Sequence, residues 1–562
     1  MTYPDVANPD LLRRIPLGAK RVVDIGCATG ALGAEFKRRN PRAHYIGVEQ
    51  DINAAQIAAT RVDEIIVGNI EERPSPLTDR IPPESVDCLI YGDVLEHLAD
   101  PWEILRSHIP LLAPDGIVLI CMPNIEHWSF IERLLQGTWD YEPLGLLDRT
   151  HLRWFTRPAT ERMLRDVGLH PIDAFPRVFN PEAAESFTQT LGPALRRLGV
   201  NADDFQERTA PLQFVWRAAL RTVTPLPLVS TMLAPVGGVS HVRVTEPIQA
   251  LASVPTLLPR VVMQGEGEVD DDEPAGIFIF HRPLLAGTDG IARIRSLLSK
   301  GWLIVCEFDD HPDYIPVLQR PDILNFRGVH AVQTTTPLLA EVLRRDNPEI
   351  RVFPNGIARL PDPVNYREFG RLTMLFAGLN RENEWPGYLE ALNRAFGKAR
   401  DRLQIVIVAD RGLFERLETP NKTFVPLCDY DRYQALLAAS EISFMPLQDT
   451  PFNRCKSDLK FIEAAARRVT PLASALVYEQ TAEDGRTAAL FRTPDELESQ
   501  LLNLVANPQA AKAIGDAART YVARKRMLAY QIADRAAWYH DLWARREELH
   551  RALLARLPEL AA

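Results

Sequence analysis

The segment RVVDIGCATGALG (residues 21–33) runs from an apolar stretch into Asp24 and then turns through Gly26, Ala28 and Gly30. Small residues in such a turn let the backbone close on a ligand that larger side chains would hold off. The dinucleotide fingerprint wants glycine at the positions of Gly26, Ala28 and Ala31, and it fails at two of them. Farther on, DVLEHL brings Asp93, Glu96 and His97 together, and DRTHLRWF supplies His151. An imidazole suits the removal of a proton from an acceptor. A second set lies in CKSDLKFIEAAARRVTPLAS (residues 455–474), where Lys456 and Lys460 open a helical pattern that carries Glu463. Cations at a helix start suit a diphosphate, and a carboxylate there can accept two hydroxyls. Arg381, in FAGLNREN, is a third candidate cation.

These residues need strand ends and turns to position them. RVVDIG, HYIGVE, EIIVGN, VDCLIYGD and GIVLICMP read as strands separated by helical patterns, the rhythm of a parallel, doubly wound α/β sheet. LQFVWRAA (212–219) is expected as a late edge strand, and the proline-bearing run 222–240 as a linker. The rhythm restarts with GIFIFHRP, WLIVCEFDD, GVHAVQTTT and IRVFPNGI. It begins again with LTMLFAGL, LQIVIVAD, TFVPLC, EISFMPL and VTPLAS, the boundary falling in 358–371. The acidic run 265–276 reads as a solvated loop.

A chain of 562 residues is too long for one core. Its net charge of −10 argues against a nucleic-acid partner. Six scattered cysteines with no C-x-x-C pair argue against disulfides or zinc and fit a reducing cytoplasm. No signal-peptide core opens the chain, and prolines interrupt its longest uncharged run, so no transmembrane segment is expected. Docking on a membrane surface stays open.

The spacing from Asp24 to Gly30 resembles motif I of class I S-adenosylmethionine-dependent methyltransferases. That resemblance, covering about residues 15–220, implies that Glu49 accepts the ribose hydroxyls and that Asn69 lies beside the adenine. It also implies that the strand and loop SVDCLIYGDVLEHLADP, with Asp93, face the methyl group. His97 is then the first candidate base and His151 the second. The D-x-x-E-H set is similar to a metal-binding variant among quinone-precursor O-methyltransferases, but helix capping and core contacts explain it as well, and no metal is expected.

Residues 455–474 resemble the donor helix of GT-B glycosyltransferases of the retaining, family-4-like group. This implies ribose on Glu463 and the diphosphate on Lys456, Lys460 and Arg381, over about residues 235–545. GGVSHVRVTEPIQAL resembles the opening of such a domain, and EFDDHPD (307–313) is expected either along its acceptor cleft or, through Asp309 and Asp310, in a structural role at a strand end. Two departures stand out. Cys455 occupies the position where the family commonly has an acid, and a common lysine is missing near Trp385.

The expected fold is α/β: a Rossmann-like class I methyltransferase domain followed by a GT-B-like pair of Rossmann-like lobes. The expected bounds are 1–221 for the methyltransferase domain, 222–240 for the linker, 241–365 for the acceptor lobe, 366–545 for the donor lobe and 546–562 for a helical tail. The expected function is methyl transfer, to a sugar hydroxyl, and sugar transfer from a nucleoside diphosphate sugar, both on a surface glycan or glycolipid. Two alternatives stay open: a second half that only binds glycan, and a lipid or quinone-precursor methyltransferase with an appended module.

Overall fold

The computed structural model describes residues 5–77, 79–233, 237–265, 269–270, 272–366, 370–379 and 381–561. The acidic run 265–276 and the boundary 358–371 lie partly outside the described residues. The chain divides into two compact units, Met1–Pro225 with Ala252–Thr256, and Leu226–Leu251 with Leu257–Ala562.

The first unit is built on β1 (Arg21–Ile25), β2 (His44–Glu49), β3 (Glu64–Val67), β4 (Val86–Gly92), β5 (Leu112–Pro123), β6 (His170–Arg177) and β7 (Gln213–Ala219). They form one sheet in the order β3-β2-β1-β4-β5-β7-β6. β3, β2, β1, β4 and β5 pair in parallel, while β7 runs antiparallel to both β5 and β6. β1 and β4 are apolar and buried along most of their length, as strands covered on both faces must be. LQFVWRAA is therefore an interior strand and not the expected edge. The edge is β6, whose Pro171 and Pro176 masked it in the sequence and are tolerated where ladder hydrogen bonds end.

The second unit holds two sheets. The first contains β8 (Leu226–Met232), β9 (Leu257–Met263), β10 (Ile277–His281), β11 (Leu303–Glu307), β12 (Ala331–Thr334) and β13 (Ile350–Val352), in the order β13-β12-β11-β10-β8-β9. The second contains β14 (Leu372–Ala377), β15 (Leu403–Val408), β16 (Lys422–Val425), β17 (Ile442–Met445), β18 (Thr470–Ser474) and β19 (Ala489–Phe491), in the order β16-β15-β14-β17-β18-β19. Every pairing in both sheets is parallel.

One expected bound is corrected here. The run 222–240 is not a linker throughout, because Leu226–Met232 is the strand β8 inside the first sheet of this unit. Pro227 sits at its second position, where a missing N–H is tolerated. GGVSHVRVTEPIQAL follows β8 as a helical segment, Gly238–Leu251. The end of the chain is helical over Arg546–Arg556. Helices Ile532–Ala544 and Arg546–Arg556 return to the first sheet's lobe. There the Tyr539 hydroxyl donates to Gln333 (2.7 Å), Arg545 pairs with Glu349 (3.0 Å), and Leu553, Leu557 and Leu560 join the core. An apolar helical stripe shows that a face is buried without naming the surface that buries it. Among the described residues no helix is long and apolar enough to cross a membrane.

Candidate functional site

In the first unit β1 lies between β2 and β4, the point where strand order reverses and where open α/β sheets take ligands at the strands' carboxyl ends. The turn after β1 has positive φ at Gly26 (68°), Ala28 (48°) and Gly30 (76°). A Cβ on Gly26 would lie 2.6 Å from Val94 Cγ2, so the cradle admits no side chain there. Glu49, at the end of β2, is 4% exposed. Its Oε2 accepts the Ala28 N–H and its Oε1 the Asp51 N–H, each at 2.9 Å. A carboxylate has about four lone-pair sites, so two remain, the number a ribose diol requires. The residues fit an adenosyl ligand. Asp24, one strand over, is buried and receives the Tyr45 hydroxyl (2.8 Å). Burial pushes its carboxyl up to about 7, and the nearby Glu49 adds to the rise. Asn69 follows β3 and closes a turn by accepting the Glu71 N–H (2.9 Å). Asp93 follows β4 at φ 55° and accepts from Gln213.

His97 and His151, 54 positions apart in sequence, meet with ring centroids 4.7 Å apart. Leu152 and Arg153 donate their N–H groups to the Glu96 carbonyl (2.8 and 3.1 Å), which ties the later segment to the turn after β4. Thr150 donates its hydroxyl proton to Asp148 (2.7 Å) and so receives His97 Nδ1–H at 2.9 Å. His151 Nδ1 donates to the Leu146 carbonyl (3.1 Å). This assignment of protons leaves Nε2 of each ring as an acceptor. Burial pushes His151 below the usual imidazole value. Glu96 is 1% exposed, and neither carboxylate oxygen has a hydrogen-bond partner. Burial drives its carboxyl well above the ordinary value, with Asp93 and Asp148 adding to the rise. Ligand atoms of Glu96, His97 and His151 lie within 4.8 Å of one another, so these three residues, and not the Asp93–Glu96–His97 set, could hold a cation.

In the second unit, the segments after β11, β12 and β13 meet the one after β17. Thr336 donates to the Cys455 carbonyl (3.0 Å), Asn355 donates to Ser457 (2.8 Å), and Lys456 pairs with Asp310 (3.3 Å). Lys456, Lys460 and Arg381 crowd one another. Burial pushes Lys460 down to about 8, and the charges of Arg381 and Lys456 press the same way against the pull of Glu463. Arg381 Nη1 is buried with no hydrogen-bond partner and sits 3.9 Å from Glu384. Glu463 is 5% exposed. It accepts from Tyr430 (2.8 Å) and Gln434 (3.1 Å) on Oε1, and from Tyr433 (3.0 Å) on Oε2. Three of its roughly four lone-pair sites are filled, and one remains for a diol that needs two. Tyr430, Tyr433 and Gln434 escaped the sequence reading, although their i, i+3, i+4 spacing on helix Tyr430–Ala438 places them on one face.

Both departures have a structural counterpart. Cys455 is packed into the apolar core of the first sheet's lobe, where an acid would lack solvent and partners. Trp385 is 2% exposed and donates its indole N–H to Asp410 (2.7 Å), a structural contact.

Residues 6–174 match the model of a family described as "Methyltransferase domain", and this segment is a methyltransferase domain. Curated relatives include a ubiquinone biosynthesis O-methyltransferase of Cupriavidus pinatubonensis, 27% identical over 176 residues. That match spans 29% of this chain and 66% of the relative. The counterpart from Neisseria meningitidis serogroup C is 30% identical over 165 residues, spanning 28% of this chain and 66% of the relative. Among solved structures, sucrose-phosphate synthase of Thermosynechococcus elongatus is 15% identical, covering 57% of this chain and all (100%) of that one at a TM-score of 0.41. A Staphylococcus aureus TarM mutant, in complex with fondaparinux, alpha-GlcNAc-glycerol and UDP, is 14% identical. It covers 49% of this chain and 57% of that one at 0.38.

Proposed function

We propose that the chain is a double transferase. The first unit moves a methyl group from S-adenosylmethionine to a hydroxyl of a sugar, and the second moves a sugar from a nucleoside diphosphate donor onto a glycan or glycolipid acceptor, in the cytoplasm. The observation that carries the first half is Glu49, buried at the switch point of a 3-2-1-4-5-7-6 sheet with two acceptor sites vacant for a ribose. The bound cofactor supplies an electrophilic methyl on a sulfonium. The chain's part is to hold the acceptor in line and remove its proton, by His97 with Thr150 and Asp148 orienting the ring, or by His151. Asn69 would serve the adenine and Asp93 the methyl-bearing end of the bound cofactor.

In the second half Arg381, Lys456 and Lys460 neutralise the diphosphate, and Glu463 takes the ribose. The supporting observation is the crowding of three cations, with Arg381 Nη1 buried and without a hydrogen-bond partner.

Three other readings have specific support. Glu96, buried with both oxygens unpartnered beside two imidazoles, favours a cation-assisted deprotonation in the methyltransferase. The names of the curated relatives favour a quinone-precursor hydroxyl as acceptor in place of a sugar. Glu463, with three of about four acceptor sites filled, and buried Cys455 favour a second half that binds glycan without catalysis. The test is calorimetry on the intact chain with S-adenosylmethionine, UDP and GDP. Glu49→Ala should weaken only the first and Glu463→Ala only the nucleotide. Loss of neither, or tight NAD binding, overturns the reading.

A further inference from the structure

The N-terminal segment of the first unit crosses the crevice that the cofactor reading uses, and it is anchored on both sides. At one end Asp5 Oδ1 accepts the Thr29 hydroxyl (2.7 Å), and the carboxylate pairs with both terminal nitrogens of Arg61, Nη2 lying 2.9 Å from Oδ2. Thr29 stands between Ala28 and Gly30 in the turn after β1, and Arg61 Nη1 also donates to its carbonyl (3.2 Å). At the other end Asn8 Nδ2 donates to Cys121 Sγ near the end of β5 (3.7 Å), and Arg177 Nε donates to Asp10 (2.9 Å). Leu11, in helix Pro9–Arg14, lies against the end of β4, where a Cβ on Gly92 would be 3.1 Å from its Cδ1. β4 stands between β1 and β5. Two inter-strand spacings come to about 9.5 Å and three residues reach at most about 10–11 Å, so residues 5–8 cross the end of β4 with little slack.

The two anchorages differ in exposure. The Asp5 and Arg61 side chains are 56% and 28% exposed, whereas Asp10 and Arg177 are 20% and 12% exposed and Leu11 is buried. Asn8 also caps its helix, accepting the Asp10 and Leu11 N–H groups (3.1 and 3.3 Å), which holds the inner end. Exposed ion pairs are weak and screened by salt, so the Asp5 end is the one that lets go.

We propose that residues 5–8 are a strap over the S-adenosylmethionine crevice, and that Asp5, latched to Thr29 and Arg61, sets how fast cofactor enters and S-adenosylhomocysteine leaves. The inference rests on the cofactor reading of Glu49 and Asp93. A ligand with its ribose at the end of β2 and its methyl-bearing end at β4 passes beneath the strap and exchanges only while the Asp5 end is open. Asp5 is a positioning residue, holding the turn and not the ligand. A latch that is equally strong with and without ligand changes the open fraction of both states alike. Association and dissociation then change by the same factor, and Kd does not move.

The experiment uses the intact chain, tethered for surface plasmon resonance, with S-adenosylhomocysteine as the probe. Asp5→Asn should raise both rate constants roughly two- to fivefold, the range of an exposed ion pair, with Kd and thermal midpoint unchanged. Arg61→Gln should act likewise, and Asp5→Glu, which keeps the charge, should restore much of the slow exchange. Added salt should speed exchange in the wild-type chain and leave Asp5→Asn nearly unaffected. Unchanged rates in Asp5→Asn, or the same salt dependence in both proteins, overturn the proposal alone. So does faster dissociation with Kd weakened in proportion, because Asp5 would then support the bound ligand and not a gate. A wild-type chain that binds neither S-adenosylhomocysteine nor S-adenosylmethionine overturns it together with the cofactor reading.

Discussion

The three donors on Glu463 make Tyr430→Phe an informative perturbation. Tyr430 gives one of three hydrogen bonds to a carboxylate with about four acceptor sites, and a ribose diol needs two. In the wild-type chain a nucleotide must therefore displace at least one donor. Phenylalanine keeps the ring against His241, stacked at 5.0 Å and 17°, and removes only the hydroxyl. Water takes the vacated site before the ligand arrives, so the gain is a net and not a gross hydrogen-bond energy, about 0.5–1.5 kcal/mol. At about 1.4 kcal/mol per decade this is a roughly two- to tenfold tighter Kd for UDP or GDP. Titration calorimetry on the intact variant measures it, with Glu463→Ala beside it as the expected loss. Equal or weaker binding by Tyr430→Phe, with binding still lost in Glu463→Ala, would mean that the tyrosine stays in place and the count of sites is wrong. Unchanged binding in Glu463→Ala would remove the ribose from this carboxylate altogether.

Glu49→Ala should weaken S-adenosylmethionine by about 1.5–3 kcal/mol, the worth of a hydrogen bond to a charged group; an unchanged calorimetric Kd would refute the ribose assignment. His97→Ala should lower methyl transfer about 10²–10⁴-fold with cofactor affinity nearly intact. If chelator abolishes that activity and a divalent ion restores it, the Glu96–His97–His151 cluster acts through a cation instead. Lys460, pushed down to about 8, loses its proton in the free protein as pH rises through that value, whereas a bound diphosphate favours the charged form. UDP affinity should thus fall above about pH 8, by at most about tenfold per pH unit, and Lys460→Gln should flatten the profile; an identical slope in both proteins would exclude this lysine.

The repeating strands and small-residue turns made the α/β class legible, because apolar runs of strand length bounded by turn residues have few other uses. The same local logic exposed Asp24 to Gly30, Glu49 and Glu463, each at the end of a strand or on a short helix. It failed where local signals conflict with tertiary position. Pro171, Pro176 and Pro227 argued against strands that the sheets tolerate at an edge and at a strand start. The family resemblances implied that Glu49 and Glu463 each accept a diol. Only the tertiary structure decided that Glu49 keeps two acceptor sites while Tyr430, Tyr433 and Gln434 fill three on Glu463. Likewise, His97 and His151 were separate candidates in sequence, and backbone bonds to the Glu96 carbonyl set them 4.7 Å apart. Asp310 met Lys456 across 146 positions. Sequence spacing encodes neighbours along one element, whereas contacts between elements depend on the sheet order and on which surface each element buries.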